Sequence, residues 1–264
     1  MTVCIAAICE SGKAIVVASD RFRWHPTASI ESELEDSKFY ILADQLALLG
    51  AGSSSDVEDV LRHFRSIPGL SSLTVPEIAD RFLQSCHACR IAHAEGLHSK
   101  RALGMGAKDL RDLVAVATPG SIAVELYNRM INHNFNTTLL VAGIDAEGAH
   151  VRGVDDSGNV SHSELGYAGL GTGGTLACVS LARRFYRKTC RLPEALYYVF
   201  EVKKTAELTR GVGTSTDISV IRKGKKPLTI GKREFAALES VYDRLAPPPM
   251  SKGDTSSIAK SLGM

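Results

Sequence analysis

The sequence of 264 residues is long enough for one large domain or two small ones. Hydrophobic residues make up 44% and charged residues 23%, enough for a sizeable core under a soluble surface. Lys and Arg number 31 against 29 Asp and Glu, and a net charge of +2 gives no general reason to expect nucleic acid or an anionic membrane as partner. No apolar run approaches the ~20 residues that span a bilayer, and the start of the chain shows neither the charged region nor the cleavage site of a signal peptide. Six cysteines, at 4, 9, 86, 89, 178 and 190, fall largely inside apolar runs, where a reduced thiol behaves as a small hydrophobe. The expectation is a cytoplasmic protein without a disulfide framework.

In chain order, Thr2 to Cys9 and Ala14 to Ser19 form two β-like runs around Glu10-Ser11-Gly12, which predicts a hairpin. Lys38 to Leu42 and Gln45 to Leu49 predict a second, turned at Ala43-Asp44. These runs are almost continuously apolar, which points to strands covered on both faces. Ser53-Ser54-Ser55 offers N-caps for a helix carrying Val57, Val60, Leu61 and Phe64. Pro76 opens another helix, with Ile78, Phe82, Cys86 and Cys89 along one face. Residues 94–120 are consistent with a helix and long loops or with an insertion. Thr137 to Ile144 predicts a strand, Asp145 to Gly148 a turn, and Ala149 to Val154 the returning strand. Asp155 to Asn159 turns again, and Leu165 to Leu170 leads into Gly171-Thr172-Gly173-Gly174 and a helix with Leu176, Val179, Ala182 and Phe185. Pro193 opens a helix carrying Ala195, Val199, Val202 and Ala206; Asp217 to Arg222 is a strand that Pro227 to Ile230 can pair with. The pattern predicts one domain over residues 1–245 and a flexible, proline-containing tail over 246–264. Strands buried on both faces are satisfied by two stacked antiparallel sheets, each shielded by helices.

Several segments share an order and spacing. They are Met1-Thr2 ahead of a strand, VVASDR (Val16 to Arg21), SKFYIL (Ser37 to Leu42) and GAGSSSD (Gly50 to Asp56). LLVAGIDAEGAHVRGVDDSG (Leu139 to Gly158), AGLGTGG (Ala168 to Gly174) and VGTSTDISVI (Val212 to Ile221) follow. Together they resemble a proteasome β-subunit or one of its bacterial relatives, over roughly residues 2–66 and 135–222. The resemblance implies an N-terminal nucleophile (Ntn) hydrolase, an α+β four-layer αββα sandwich of two antiparallel sheets flanked by helices.

The resemblance also implies a threonine-type endopeptidase. A threonine hydroxyl is a weak nucleophile, but an N-terminal threonine carries its own base in the freed α-amine, with an unperturbed pKa of ~7.7–8.0. This requires removal of Met1. Lys38 matches the lysine beside the nucleophile, Asp20 its counter-ion, Gly52 the backbone oxyanion donor, and Thr172 the position of a supporting serine. No cofactor and no metal are implied. The expected partners are polypeptide substrates, further copies of the chain in a ring or open homo-oligomer, and an ATP-dependent unfoldase, with no nucleic acid and no membrane. Two positions depart from the family: Glu207 stands where it has Asp, and Arg210 where it has Ser. Two other readings stay open, a catalytically silent ring subunit and an Ntn amidohydrolase acting on a small amide. Asp36 and Glu58 are candidates for a cleft that favours basic side chains.

Three further motifs read as structural. Gly169 to Gly174 fits GxGxxG, but a dinucleotide site needs this turn inside a βαβ unit, and here two helices follow. Cys86-His87-Ala88-Cys89, with His93 near, lies in an apolar helical pattern with no second CxxC. The run Arg222-Lys223-Gly224-Lys225-Lys226 suits the protection of an edge strand.

Overall fold

The computed structural model describes residues 2–25, 30–33, 37–69 and 73–245. Met1, Asp36 and the expected tail over 246–264 lie outside the described residues. The chain forms two compact units, Met1–Thr229 and Ile230–Met264. The described part of the second is a helix, Lys232–Leu245, amphipathic in sequence and not anticipated above.

The first unit is built on two five-stranded antiparallel sheets. One runs β10-β1-β2-β11-β12, with β1 Cys4–Cys9, β2 Ala14–Asp20, β10 Tyr167–Leu170, β11 Thr216–Arg222 and β12 Lys225–Thr229. The other runs β5-β6-β7-β8-β9, with β5 Phe39–Ala43, β6 Leu46–Gly52, β7 Thr137–Ile144, β8 Ala149–Asp155 and β9 Gly158–Ser161. Between β2 and β5 the backbone forms a separate antiparallel pair, β3 Phe22–His25 and β4 Ile30–Glu33.

Alternation along the strands explains the layers. Cys4, Ala6, Ile8, Ile15 and Val17 face Ala47, Leu49, Leu140, Ala142, Ile144 and Val151, filling the space between the sheets. Leu46, Leu48, Leu139, Val141 and Val154 point the other way. They pack under two helices, α1 Ser54–Arg65 and α2 Val75–Ala94, through Val57, Val60, Leu61, Phe64, Ile78, Phe82 and Cys86. On the far side, α6 Gly174–Arg183 and α7 Leu192–Ala206 cover β1 and β2. Every residue of β1 and β2 is buried, which is why both read as unbroken apolar runs. The result is the α+β, four-layer architecture expected from the sequence, and it is compatible with an Ntn-like fold.

Local chemistry starts the helices where the sequence places them. Ser53 Oγ accepts the Asp56 N–H at 3.4 Å, and Thr74 with Glu77 forms a capping box behind Pro76. The stretch 94–120 becomes a π-helical turn (Glu95–Lys100), a short α3 (Arg101–Leu103) and α4 Ala107–Val116, followed by α5 Ile122–Ile131. These pack on one another through Ala94, Leu110, Ala123, Leu126 and Met130. The GxGxxG segment joins β10 to α6 within antiparallel topology, and the basic run turns β11 into the edge strand β12. Cys86 lies in the core under α2, with burial pushing its thiol up to about 12. Among the described residues no helix is long and apolar enough to cross a membrane.

Candidate active site

Thr2 sits at one end of the sandwich, immediately before β1. Its neighbours arrive from both sheets. Asp20 is the last residue of β2, antiparallel to β1, and its N–H donates to Val3 O at 3.1 Å. Lys38 precedes β5 in the other sheet, fixed by Gly50 N–H to its carbonyl at 3.2 Å. The turn after β10 wraps Thr2 from a third side, with Gly173 N–H donating to Thr2 O at 3.1 Å. Gly171 in that turn has φ +78°, and a Cβ there would lie 2.3 Å from Thr2 O, so no larger residue fits.

Thr2, Asp20 and Lys38 are all buried, at 5%, 0% and 6% exposure. Lys38 Nζ donates to Asp20 Oδ1 at 2.9 Å and also to Thr2 Oγ1. Asp20 is fully engaged: Oδ1 also accepts the Val3 N–H at 3.0 Å, and Oδ2 accepts the Gly213 N–H at 3.0 Å. Breaking a buried pair by removing one partner costs about 3–5 kcal/mol, because the remaining charge loses its compensation. The two charges therefore have to persist together. Beside them the bidentate pair of Arg21 with Asp217 clasps the end of β2 to β11.

Two cavities meet at Thr2. A recess of about 20 Å³ lies behind it, between Lys38, Tyr40, Gly50 and Val57, room for about one water molecule. In front is an open cleft of about 520 Å³. Thr2, Gly52 and Thr172 border this cleft, so all five residues singled out from the sequence lie at or immediately behind it. Gly52 ends β6 with φ +116°, and a Cβ there would lie 1.8 Å from Asn136 O; glycine is obligatory at this close approach. Thr172 is exposed, and its side chain makes no hydrogen bond among the described residues, so a part in supporting the Thr2 amine is not evident in its contacts.

The cleft walls hold residues that sequence reasoning missed. One wall is Asn134 to Thr138, the lead into β7; the other is Asp155-Asp156-Ser157, the turn between β8 and β9. Thr137 is 3% exposed, and its hydroxyl has no partner among the described residues. The signal available was the polar run His133-Asn134-Phe135-Asn136-Thr137 ahead of an apolar strand, which reads as an ordinary loop without the fold. Acidic character in the cleft comes from Asp155 and Asp156; Glu58 is exposed on α1 and does not line it. Glu207 closes α7 and pairs with Lys203 at 2.7 Å and Lys204 at 3.5 Å, and Arg210 is exposed. Cys4, behind the site, is pushed up to about 12 by burial, with the Lys38 charge opposing; its thiol donates to Gly50 O at 3.5 Å as a packing element.

No protein-family model matches this chain, and no curated protein is detectably similar to it in sequence. Any functional reading therefore stands on the geometry above and on the motif resemblance.

Proposed function

We propose that the chain is a threonine-type peptidase in which Thr2, once whatever precedes it is removed, is the nucleophile. The observation that carries this reading is the buried line Asp20–Lys38–Thr2, which aims an ammonium group at a single hydroxyl on the edge of an open cleft. Nothing about packing calls for two charges here.

In the proposed reaction the freed α-amine of Thr2 takes the proton from its own Oγ1 as that oxygen attacks the carbonyl carbon of an amide. Amine and hydroxyl share one residue, so little positioning entropy is lost. Lys38 stabilises the developing negative charge on Oγ1, and Asp20 holds Lys38 in place. The carbonyl oxygen becomes an oxyanion, for which the Gly52 N–H on the cleft rim is the proposed donor. Collapse breaks the C–N bond, the leaving amine takes the proton held by the α-amine, and an ester on Thr2 remains. Water then adds to the ester with the α-amine as base, releasing the acid and restoring the hydroxyl. The chemistry asks for no cofactor. Assembly into a proteasome-like ring or open homo-oligomer, service by an ATP-dependent unfoldase and a cytoplasmic location belong to the same reading and rest on the motif resemblance alone.

The test is hydrolysis of a fluorogenic peptide panel by protein whose intact mass shows Thr2 at the N-terminus, beside Thr2→Ala. The expected outcome is cleavage that Thr2→Ala abolishes, with a Thr2-linked acyl adduct visible by mass after reaction with a slowly hydrolysed acylating agent. Turnover by Thr2→Ala at the wild-type rate, or by protein that retains Met1, would falsify the nucleophile assignment. Cleavage of small amides only, by a monomer, points instead to an amidohydrolase.

A further inference from the structure

Lys203 is fully buried, yet the proposed chemistry does not use it. It projects from the last turns of α7, on a face that otherwise packs through Val199, Phe200, Val202 and Ala206. An ammonium in such surroundings is costly unless paired and hydrogen-bonded, and here all three of its donors are taken. Nζ donates to Gly213 O at 2.8 Å, Thr214 O at 2.8 Å and Glu207 Oε1 at 2.7 Å. Two of the three acceptors are backbone carbonyls of the segment joining α7 to β11, which has no ladder of its own.

That segment returns to the active site. The N–H of Gly213 donates to Asp20 Oδ2 at 3.0 Å, while Asp20 Oδ1 holds Lys38 at 2.9 Å, and Lys38 reaches Thr2 Oγ1. A continuous hydrogen-bonded path therefore runs from α7 to the nucleophile. We propose that Lys203 is a positioning residue of the threonine site: by holding the carbonyls of Gly213 and Thr214 it aims the Gly213 N–H at Asp20, and so fixes the pose of Lys38 against Thr2. The inference rests on the threonine-nucleophile reading. It also gives Glu207 a task, as the counter-ion that keeps Lys203 charged in the core.

Protonation ties this path to pH. The charged groups acting on Lys203 are Glu207 and Lys204 on its own helix and Asp20 from β2. Burial lowers the Lys203 pKa, and Glu207 counteracts it. Loss of the proton leaves two donors for three acceptors, so alkaline pH loosens the hold. Removing the charge of Glu207 lowers the Lys203 pKa further and brings that loosening to lower pH.

The experiment compares wild type, Lys203→Met and Glu207→Gln on a peptide that the wild type cleaves. Methionine is similar in length and has no donors. Lys203→Met should lower kcat by about 10–100-fold, the scale expected when a reacting group is misplaced by about an ångström, with KM nearly unchanged, since Lys203 does not line the cleft. Its Gly213 amide should exchange with solvent roughly tenfold or more faster, as read by NMR. Glu207→Gln should shift the alkaline limb of the kcat pH profile to lower pH, and this arm carries the test alone if Lys203→Met does not fold. A folded Lys203→Met with wild-type kcat and unchanged Gly213 exchange overturns the proposal, as does a Glu207→Gln profile that superimposes on wild type. Failure of the nucleophile reading shows separately, as Thr2→Ala that still turns over, whereas Gly213 exchange reports the Lys203 contact whatever the reaction.

Discussion

The strands that carry the site and the helices over residues 95–131 are stabilised in different ways. In the sandwich, β1, β2 and most of β6 and β7 are buried on both faces, and Phe64 and Phe82 stack at 3.8 Å between centroids in the layer above. The helical stretch gathers its own small core from Ala94, Leu110, Ala123, Leu126 and Met130, while Val116, Ile122 and Ile131 remain exposed. Burial is worth about 25 cal/mol per Å² of apolar surface, so free energy concentrates in the layers that position Thr2, Asp20 and Lys38. The cleft wall that follows α5 belongs to the sandwich as well, since Phe135 packs in the core beneath α1 and α2. The helical stretch is therefore expected to open locally while the site stays assembled.

The largest effect expected from this contrast is at Phe82, which has no solvent exposure. Phe82→Ala should cost about 3–5 kcal/mol, through lost burial and the cavity left against Phe64. The loss should register in the global denaturant midpoint with an unchanged slope. A loss below about 1 kcal/mol would mean that the α1/α2 layer collapses readily, and the contrast would fail. Leu110 is equally buried but in the smaller cluster. Leu110→Ala should cost about 2–3 kcal/mol, expressed as faster amide exchange across Ala107–Val116 and Ile122–Ile131. The global midpoint and peptide turnover should barely move. A global loss as large as that of Phe82→Ala would show that the two regions unfold as one.

The same contrast explains what was legible in the sequence. Strands covered on both faces leave continuous apolar runs, so β2 and β7 were readable nearly to the residue, while β1 starts at Cys4 rather than Thr2 and β6 runs on to Gly52 rather than stopping at Leu49. The serine cluster at Ser53 and the helix-opening Pro76 marked the starts of α1 and α2, whereas the Thr74 cap emerged only with the structure. Residues 94–131 gave no such signal because a small core needs few apolar positions, and the π-helical turn at Glu95–Lys100 breaks the 3.6-residue period that would reveal it. At the site, Thr2, Asp20, Lys38 and Gly52 were marked by the motif resemblance, and their places at strand ends alone would have read as ordinary turn positions. Lys203 was not: one of two adjacent lysines late in a helix reads as a solvated charge until the fold turns it inward. The cleft walls at Asn134 to Thr138 and Asp155 to Ser157 were hidden for a related reason, since a polar loop shows its neighbours only after β7 and β8 have paired.

The smallest predicted effect uses pH to separate the two regions. Asp145 ties the β7–β8 turn to the start of α2: Oδ2 accepts the Val75 N–H at 2.9 Å, and Oδ1 accepts the Glu147 N–H at 2.9 Å and pairs with His150 Nε2 at 3.0 Å. Burial acts to raise its pKa, but the Val75 N–H and His150 outweigh that and hold the carboxyl below its ordinary value. A carboxylate depressed on folding contributes stability that is fully present above its unfolded pKa of ~3.9 and is lost as pH falls through the folded value. Asp145→Ala should therefore cost about 1–2 kcal/mol at neutral pH, for the orphaned N–H groups and the lost charge at a helix N-terminus. Across the acid range it should lose less than wild type, so the two stability curves converge as pH falls. Because the contact lies in the sandwich, the global midpoint should carry the change while exchange within Ala107–Val116 stays the same. Parallel acid slopes for wild type and variant would remove Asp145 as the source of acid sensitivity, and faster exchange confined to the helical stretch would place the coupling on the wrong side of the molecule.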